Sequence, residues 1–298
     1  MLNPTFSTFH QNQITEDYIA PIDIAESTLS ANSNFETGIE YRLQSVYGDE
    51  IWLKLERAGF TEDRFNKSSI LEVCAGNGFL TYHLLTKIRP IRYVINDISE
   101  IELEQNQKLI TENFSNPCIE YLHGDVHTLD VSGKFDIVIG NSFLHHFHDV
   151  SMAFKSIMSY LKPGGIFISL HEPTPLSPIV EGAKIFALPI GIMFPTFINN
   201  FIRMRYDGPP SETDLWMFEE KKLKKLFSKL NVLNSKFYYW NLFRPIVVHK
   251  KYLHLSKNKQ SLNTIEEKKF KNSILKDSLL NKFLPSRFFG SMCIVLEK

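Results

Sequence analysis

The segment Ile70-Leu-Glu-Val-Cys-Ala-Gly-Asn-Gly-Phe-Leu80 constrains this chain more than any other. A short apolar run enters a Gly-x-Gly turn at Gly76 and Gly78 and leaves it as a helix. Glycine belongs in such a turn because a ligand can then approach the backbone with no Cβ in the way. Taken alone the turn is unspecific, since nucleotide-holding folds of many kinds have one.

The rhythm on its C-terminal side narrows the choice. Apolar runs recur at Tyr93–Asp97, Ile119–Leu122, Phe135–Ile139 and Ile166–Leu170. Helical patterns separate them. Ser99 with Glu102 reads as a capping box opening one helix. Phe154, Ile157, Met158 and Leu161 fall on one face of another, which the Lys162-Pro-Gly-Gly165 turn ends. Alternation of this kind specifies an α/β domain with a mostly parallel sheet and helices on both faces. Two further strand-like runs, Phe237–Trp240 and Met292–Leu296, stand roughly 50 residues apart, too far for a hairpin. The expected organisation is an N-terminal helical cap or lid over 1–66 and a core over 67–298. The core carries a substrate-cover insertion at about 174–213, a helix over 212–230 and a second insertion at about 241–290.

A dinucleotide site would want a third glycine where Thr81 stands, so that a helix N-terminus could receive a pyrophosphate. Instead an acid, Glu72, ends the strand, which suits a ligand carrying an ammonium and a sulfonium. The stretch resembles motif I of class I S-adenosylmethionine (SAM)-dependent methyltransferases, an acid, two residues, then a Gly-x-Gly-containing loop. Further matches follow in order. Asp97 corresponds to the acid that takes both ribose hydroxyls. Gly124-Asp-Val126 resembles the adenine segment. Phe135-Asp-Ile-Val-Ile-Gly-Asn-Ser-Phe-Leu-His-His146 resembles motif IV and its extension, and Lys162-Pro-Gly-Gly165 the turn before the fifth strand. The resemblance covers residues 69 to about 173. It implies a Rossmann-like seven-stranded sheet, SAM as cofactor, and a cofactor set of Glu72, Cys74, Ala75, Gly76, Gly78, Asp97, Ile98, Asp125, Val126, Asn141 and Phe143. One position departs from the family: Cys74 stands where glycine is usual, and a small side chain at an ordinary negative φ is the expectation there.

Methyl transfer from a sulfonium is an in-line displacement, so alignment and exclusion of water carry much of the catalysis. A base is needed only if the nucleophile must lose a proton. Candidates lie where the fourth and fifth strands end: His146, with His145 and His148 beside it, then His171 and Glu172. Neighbours on a strand face opposite sides, so one of His171 and Glu172 is expected to face the acceptor as a base or orienting group. The histidines show no carboxylate at ligand spacing, and metal independence is expected. Tyr18, Tyr41 and Arg42 are candidate lid residues.

The formal charge of zero argues against a nucleic-acid-coating protein, though it conceals an asymmetry. From Lys221 onward the chain has 18 Lys/Arg against 4 Asp/Glu. That end is either a solvated lysine surface or a contact for something anionic, such as a membrane surface or a carrier protein. Three scattered cysteines form no disulfide framework, and no basic-then-apolar leader opens the chain, so a cytoplasmic protein is expected, with membrane-peripheral placement as a variant. The run Ile185–Ile198 is apolar but shorter than the roughly 20 residues that span a bilayer. It suits a cover over a lipophilic or aromatic acceptor, methylated at oxygen. RNA or protein methylation and a non-catalytic SAM-binding subunit are the competing readings.

Overall fold

The computed structural model describes residues 7–8, 43, 45–115, 119–175, 216–230, 232–240, 264–280, 282–284, 286 and 289–298. Tyr18, Tyr41, Arg42, Cys118 and most of the two insertions lie outside the described residues. The elements in chain order are β1 (Ser7–Thr8), α1 (Ser45–Arg57), α2 (Glu62–Asn66), β2 (Ser69–Glu72), α3 (Phe79–Leu85), β3 (Arg92–Asp97), α4 (Glu100–Asn113), β4 (Ile119–His123) and β5 (Phe135–Asn141). After a 3₁₀ turn at Leu144–His146 come α5 (Val150–Tyr160), β6 (Leu161–Pro173), β7 (Trp216–Met217), α6 (Glu220–Phe227), β8 (Asn234–Trp240), α7 (Thr264–Leu280) and β9 (Ser291–Glu297).

Seven strands form one sheet in the order β4-β3-β2-β5-β6-β9-β8. The first five are mutually parallel, and β9 runs antiparallel between β6 and β8. Period-two side chains divide the core into two layers. Ile70, Ile137, Ile139 and Ile168 pack toward α1, α3, α4 and α7, through residues such as Trp52, Leu84, Ile110 and Phe270. Leu71, Val138 and Phe167 pack the other way, onto Phe154 and Ile157 of α5 and Leu223 and Phe227 of α6.

Half of the expected capping box is made, because the Ser99 amide donates to Asp97 Oδ1 at 2.8 Å instead of to Glu102. Ser99 Oγ accepts from Glu102 N at 3.3 Å at the head of α4, and the Asp149 side chain caps α5 through Met152 N. The helix expected over 212–230 shrinks to α6. Ahead of it Trp216 and Met217 are extended and pair with Ser7 and Thr8, and the Trp216 indole donates to Phe147 O at 2.8 Å. Apolar spacing could not reveal that tertiary anchor.

Strand order reverses between β2 and β5, and their neighbours β3 and β6 lead away in opposite directions. That reversal opens a crevice beyond the carboxyl ends of the strands, where open α/β sheets hold ligands. Phe167, fully buried at the centre, meets Phe143 and Phe154 edge-on with ring centroids at 6.2 and 5.9 Å. Phe167→Ala is expected to cost about 3–5 kcal/mol in denaturant unfolding; a cost below 1 kcal/mol would mean the second layer is not packed as described.

Candidate functional site

Two loops line the crevice. The first runs from Val73 to Gly78 between β2 and α3. Val73 N donates to Ile139 O at 2.9 Å and Ala75 N to Asn96 O at 3.0 Å, tying the loop to β5 on one side and β3 on the other. Gly76 and Gly78 have φ of 54° and 93°. A Cβ on Gly78 would sit 3.0 Å from the Asn106 side chain, and Asn106 Nδ2 in turn donates to Gly76 O at 3.3 Å. Cys74 overturns the expectation of an ordinary angle. Its φ is 51°, so a residue with a Cβ occupies the left-handed region that glycine usually fills. Burial, then the carboxylates of Asp97, Asp125 and Glu172, push its thiol well above the usual range, so it is no thiolate nucleophile.

Asp97 closes this loop from β3. Its Oδ2 accepts from Gly76 N at 2.7 Å and its Oδ1 from Ser99 N at 2.8 Å. Each oxygen keeps a second lone pair, enough for a vicinal diol. Burial lifts this carboxyl above the ordinary aspartate range against those amide bonds. Ile98 follows, half-buried, its carbonyl bonded to the His123 ring. Next along the edge Asp125 Oδ1 takes two bonds from His127, and Val126 is 3% exposed beside it.

The first acid of the motif does something other than expected. Glu72 is fully buried on the helix side of the sheet, where Thr81 Oγ1 donates to it at 2.9 Å and the Tyr93 hydroxyl also donates. Desolvation outweighs these bonds and raises its pKa to about 7. It supports the loop from beneath rather than presenting a carboxylate to the crevice.

The second loop, Asn141–His146, hangs on Glu172. Oε1 of this fully buried acid accepts from the amides of Phe143 and Leu144, each at 3.1 Å, and from Ser169 Oγ at 2.6 Å. Oε2 meets His145 Nδ1 at 2.9 Å. Burial would raise the carboxyl; the His145 hydrogen bond and charge, Ser169 and the Leu144 amide outweigh it and hold it below the usual glutamate range. A saturated, acidified group makes a poor base, so the structure gives Glu172 a positioning role in place of the catalytic one expected for it. Gly140 makes the loop's path possible, since a Cβ there would lie 2.6 Å from the Phe143 ring and 2.8 Å from Val73 O. Asn141 Oδ1 is buried with no hydrogen-bond partner among the described residues. His146, half-buried, lies against His145 with the rings tilted at 44° and their centroids 4.1 Å apart.

His171 points to the opposite side of the strand from Glu172, through a bulge and a φ of 61°. There it meets α1. Lys54 Nζ contacts His171 Nε2 and donates to Glu50 Oε1 at 2.6 Å; Lys54 and Glu50 are 1% and 2% exposed. The Trp240 ring lies 5.5 Å from the Lys54 ammonium. Glu50 Oε1 also lies 3.5 Å from His171 Nε2, so one edge of the imidazole meets both a cation and a carboxylate. Glu50 and Lys54 escaped the sequence reading. The available signal was two charges on the face that Tyr47, Ile51 and Leu55 mark as apolar.

This edge presents acceptors to its ligand: Asp97, Asp125 and the orphaned Asn141 Oδ1, around a backbone turn with no Cβ at Gly76. That fits a cationic nucleoside with ribose hydroxyls and an ammonium, such as SAM. Residues 70–165 match the family described as methyltransferase domain. In those residues and in its fold the chain is similar to class I SAM-dependent methyltransferases. Relatives include demethylmenaquinone methyltransferases of Staphylococcus saprophyticus, 28% identical over 172 residues (57% of this chain, 72% of the relative), and of Staphylococcus aureus, 28% identical over 167 residues (55% and 67%). The SAM complex of phosphoethanolamine N-methyltransferase 2 from Haemonchus contortus shares the fold, with a TM-score of 0.58 at 12% identity over 94% of this chain and 60% of that one. The ligand in that complex is SAM, the kind of cationic nucleoside that the acceptors of this edge fit.

Two substitutions test the geometry of the first loop. At Cys74, replacement by glycine is expected to change stability by less than about 1 kcal/mol, as relief of the left-handed strain offsets added chain entropy. Cys74→Val, β-branched at φ 51°, should cost about 2 kcal/mol or more; equal stabilities would refute the strained loop. For Glu72 the folded pKa of about 7 lies above the unfolded value of 4.5, so the folded state holds the extra proton between them. Stability therefore falls as pH rises through that window, by roughly 3 kcal/mol. Glu72→Gln should flatten this part of the stability–pH curve; an unchanged slope would assign it to other groups.

Proposed function

We propose that this methyltransferase acts on a small lipophilic or aromatic acceptor, at an oxygen atom. The observation that carries the reading is the buried Glu50–Lys54–His171 cluster near the carboxyl end of β6, where an ammonium and a carboxylate meet one imidazole. Such a donor set favours an acceptor that enters as its oxyanion, and an ionised oxygen needs no further base. Support for the lipophilic class comes from the demethylmenaquinone relatives and from the apolar run Ile185–Ile198, which lies outside the described residues.

When bound, SAM supplies the electrophilic methyl group. The chain's own residues divide the remaining work. Asp97 would hold the ribose, Ile98, Asp125 and Val126 the adenine side, and Ala75, Gly76 and Gly78 the backbone turn beneath. Asn141 and Phe143 would face the methionine moiety, with Cys74 and Glu72 shaping the loop. His171 would orient the acceptor, and His146 would form the wall between the two ligands. The reading also includes a peripheral contact of the basic C-terminal third with an anionic membrane surface or a carrier protein.

Paired variants separate the two halves of the site. Asp97→Ala is expected to weaken binding of SAM and of S-adenosylhomocysteine by about 2 kcal/mol, measured by titration calorimetry. His171→Ala should leave that affinity within about twofold and lower kcat about 100-fold in labelled-methyl transfer to lipophilic phenols. Label recovered on carbon or nitrogen, or a His171 variant of full activity, would overturn the oxygen assignment or the role of His171.

A further inference from the structure

Helix α7 has one face that is exposed among the described residues. Phe270, Ser273, Ile274, Asp277 and Ser278 are buried against the body, and α7 packs on α1 and β8. The opposite face carries Leu275, Leu279 and, one turn past the helix end, Phe283, which are 42%, 53% and 80% exposed. Leu275 and Leu279 stand one turn apart on a single side of the helix, and Phe283 follows in the turn beyond it, where its amide donates to Leu280 O at 2.9 Å. Isolated exposed apolar side chains are ordinary, but an aligned row of large ones marks a contact surface.

The charges around the stripe are of one sign. Lys268, Lys276 and Lys282 are exposed on the same side. Lys271, at its border, is paired with Asp49 at 2.6 Å. The acids of the helix lie elsewhere: Glu266 and Asp277 are 6% and 1% exposed, and Glu267 is half-buried. An acidic peptide or nucleic acid would match the lysines and leave the leucines and Phe283 in water. A second copy of this chain would set lysine against lysine. An anionic bilayer satisfies both features, with apolar side chains entering the acyl boundary and lysine stems reaching back to phosphate. No helix among the described residues is long and apolar enough to cross a membrane, so a surface contact is the mode that fits.

We infer that the Leu275–Leu279–Phe283 face of α7 docks the enzyme on an anionic lipid bilayer. This narrows the peripheral contact proposed above to one helix face and one partner; it rests on that contact and is independent of the acceptor's identity. The geometry gives the docking a use. The helix packs directly on α1, the element that brings Glu50 and Lys54 to His171. A face pressed to lipid on α7 therefore sets the acceptor side of the crevice close to the phase in which a lipophilic acceptor dissolves.

Vesicle co-sedimentation of the full chain tests the inference without turnover, so it stands or falls apart from the acceptor. Vesicles of phosphatidylglycerol and phosphatidylcholine are expected to bind the protein, and phosphatidylcholine alone to bind it at least tenfold more weakly. Replacing Lys268, Lys276 and Lys282 by Gln should weaken binding roughly fivefold per lysine. The triple change Leu275→Ser, Leu279→Ser, Phe283→Ser should weaken it about 100-fold or more, with SAM affinity and the melting curve unchanged as controls of folding. No binding to anionic vesicles, or binding indifferent to the serine changes, would overturn the inference. Loss on the lysine changes alone would point to an acidic protein instead. A dimer in light scattering that the serine variant dissolves would give the face to a second copy of the chain.

Discussion

The carboxylate of Glu172 organises the catalytic edge. It is fully buried at the end of β6 yet accepts four hydrogen bonds, three of them from the loop that leaves the neighbouring strand β5. A charge in that position is tolerable only because every donor is in place, and removing the carboxylate would strand two amides and an imidazole. Its grip also accounts for the unusual backbone nearby. Ser142 and His171 have φ of 57° and 61°, and non-glycine residues persist in that region only where their surroundings over-determine them. With the loop fixed, Phe143 packs into the second core layer, and the bulge at His171 sends consecutive side chains of β6 into separate sites.

Two buried glutamates at this edge behave oppositely, and the contrast shows what environment does to one functional group. Glu172, rich in donors, is held ionised; Glu72, offered two hydroxyls, titrates at about 7. The negative charge available to a cationic cofactor therefore comes from Asp97 and Asp125, farther along the edge, while Glu72 props the glycine turn from below. Cys74 belongs to the same support. It puts a Cβ where the family usually has none, as a thiol kept neutral by burial first and then by its carboxylate neighbours.

Much of this was legible in the sequence wherever the signal is local. The strands from Ile70 to Leu170, the Ser99 cap and the glycine turn are written in adjacent residues, and the ordered motifs pointed to Asp97, Asp125 and Asn141 at or just beyond the ends of their strands. What escaped depends on contacts distant in the chain or on backbone angle. Glu172 and His145 are 27 residues apart, and Lys54 and His171 are 117 apart. The angle at Cys74 was not legible because a residue with a Cβ rarely adopts positive φ, and only the ties of its neighbours Val73 and Ala75 to the flanking strands hold it there. The helix expected over 212–230 ignored an extended pairing of Trp216 with Thr8 that apolar spacing cannot encode. The lysine excess after Lys221 was visible, but its concentration with exposed leucines on one face of α7 required knowing which face the core had taken.

A crystal structure of the complex with S-adenosylhomocysteine tests the central claim most directly. The account predicts the ribose hydroxyls on Asp97, the adenine beside Asp125 and Val126, and the amino acid end at Asn141, with the sulfur turned toward His171. Ligand density away from the β2 and β5 loops, or a ribose that leaves Asp97 bonded only to Gly76 and Ser99, would contradict it.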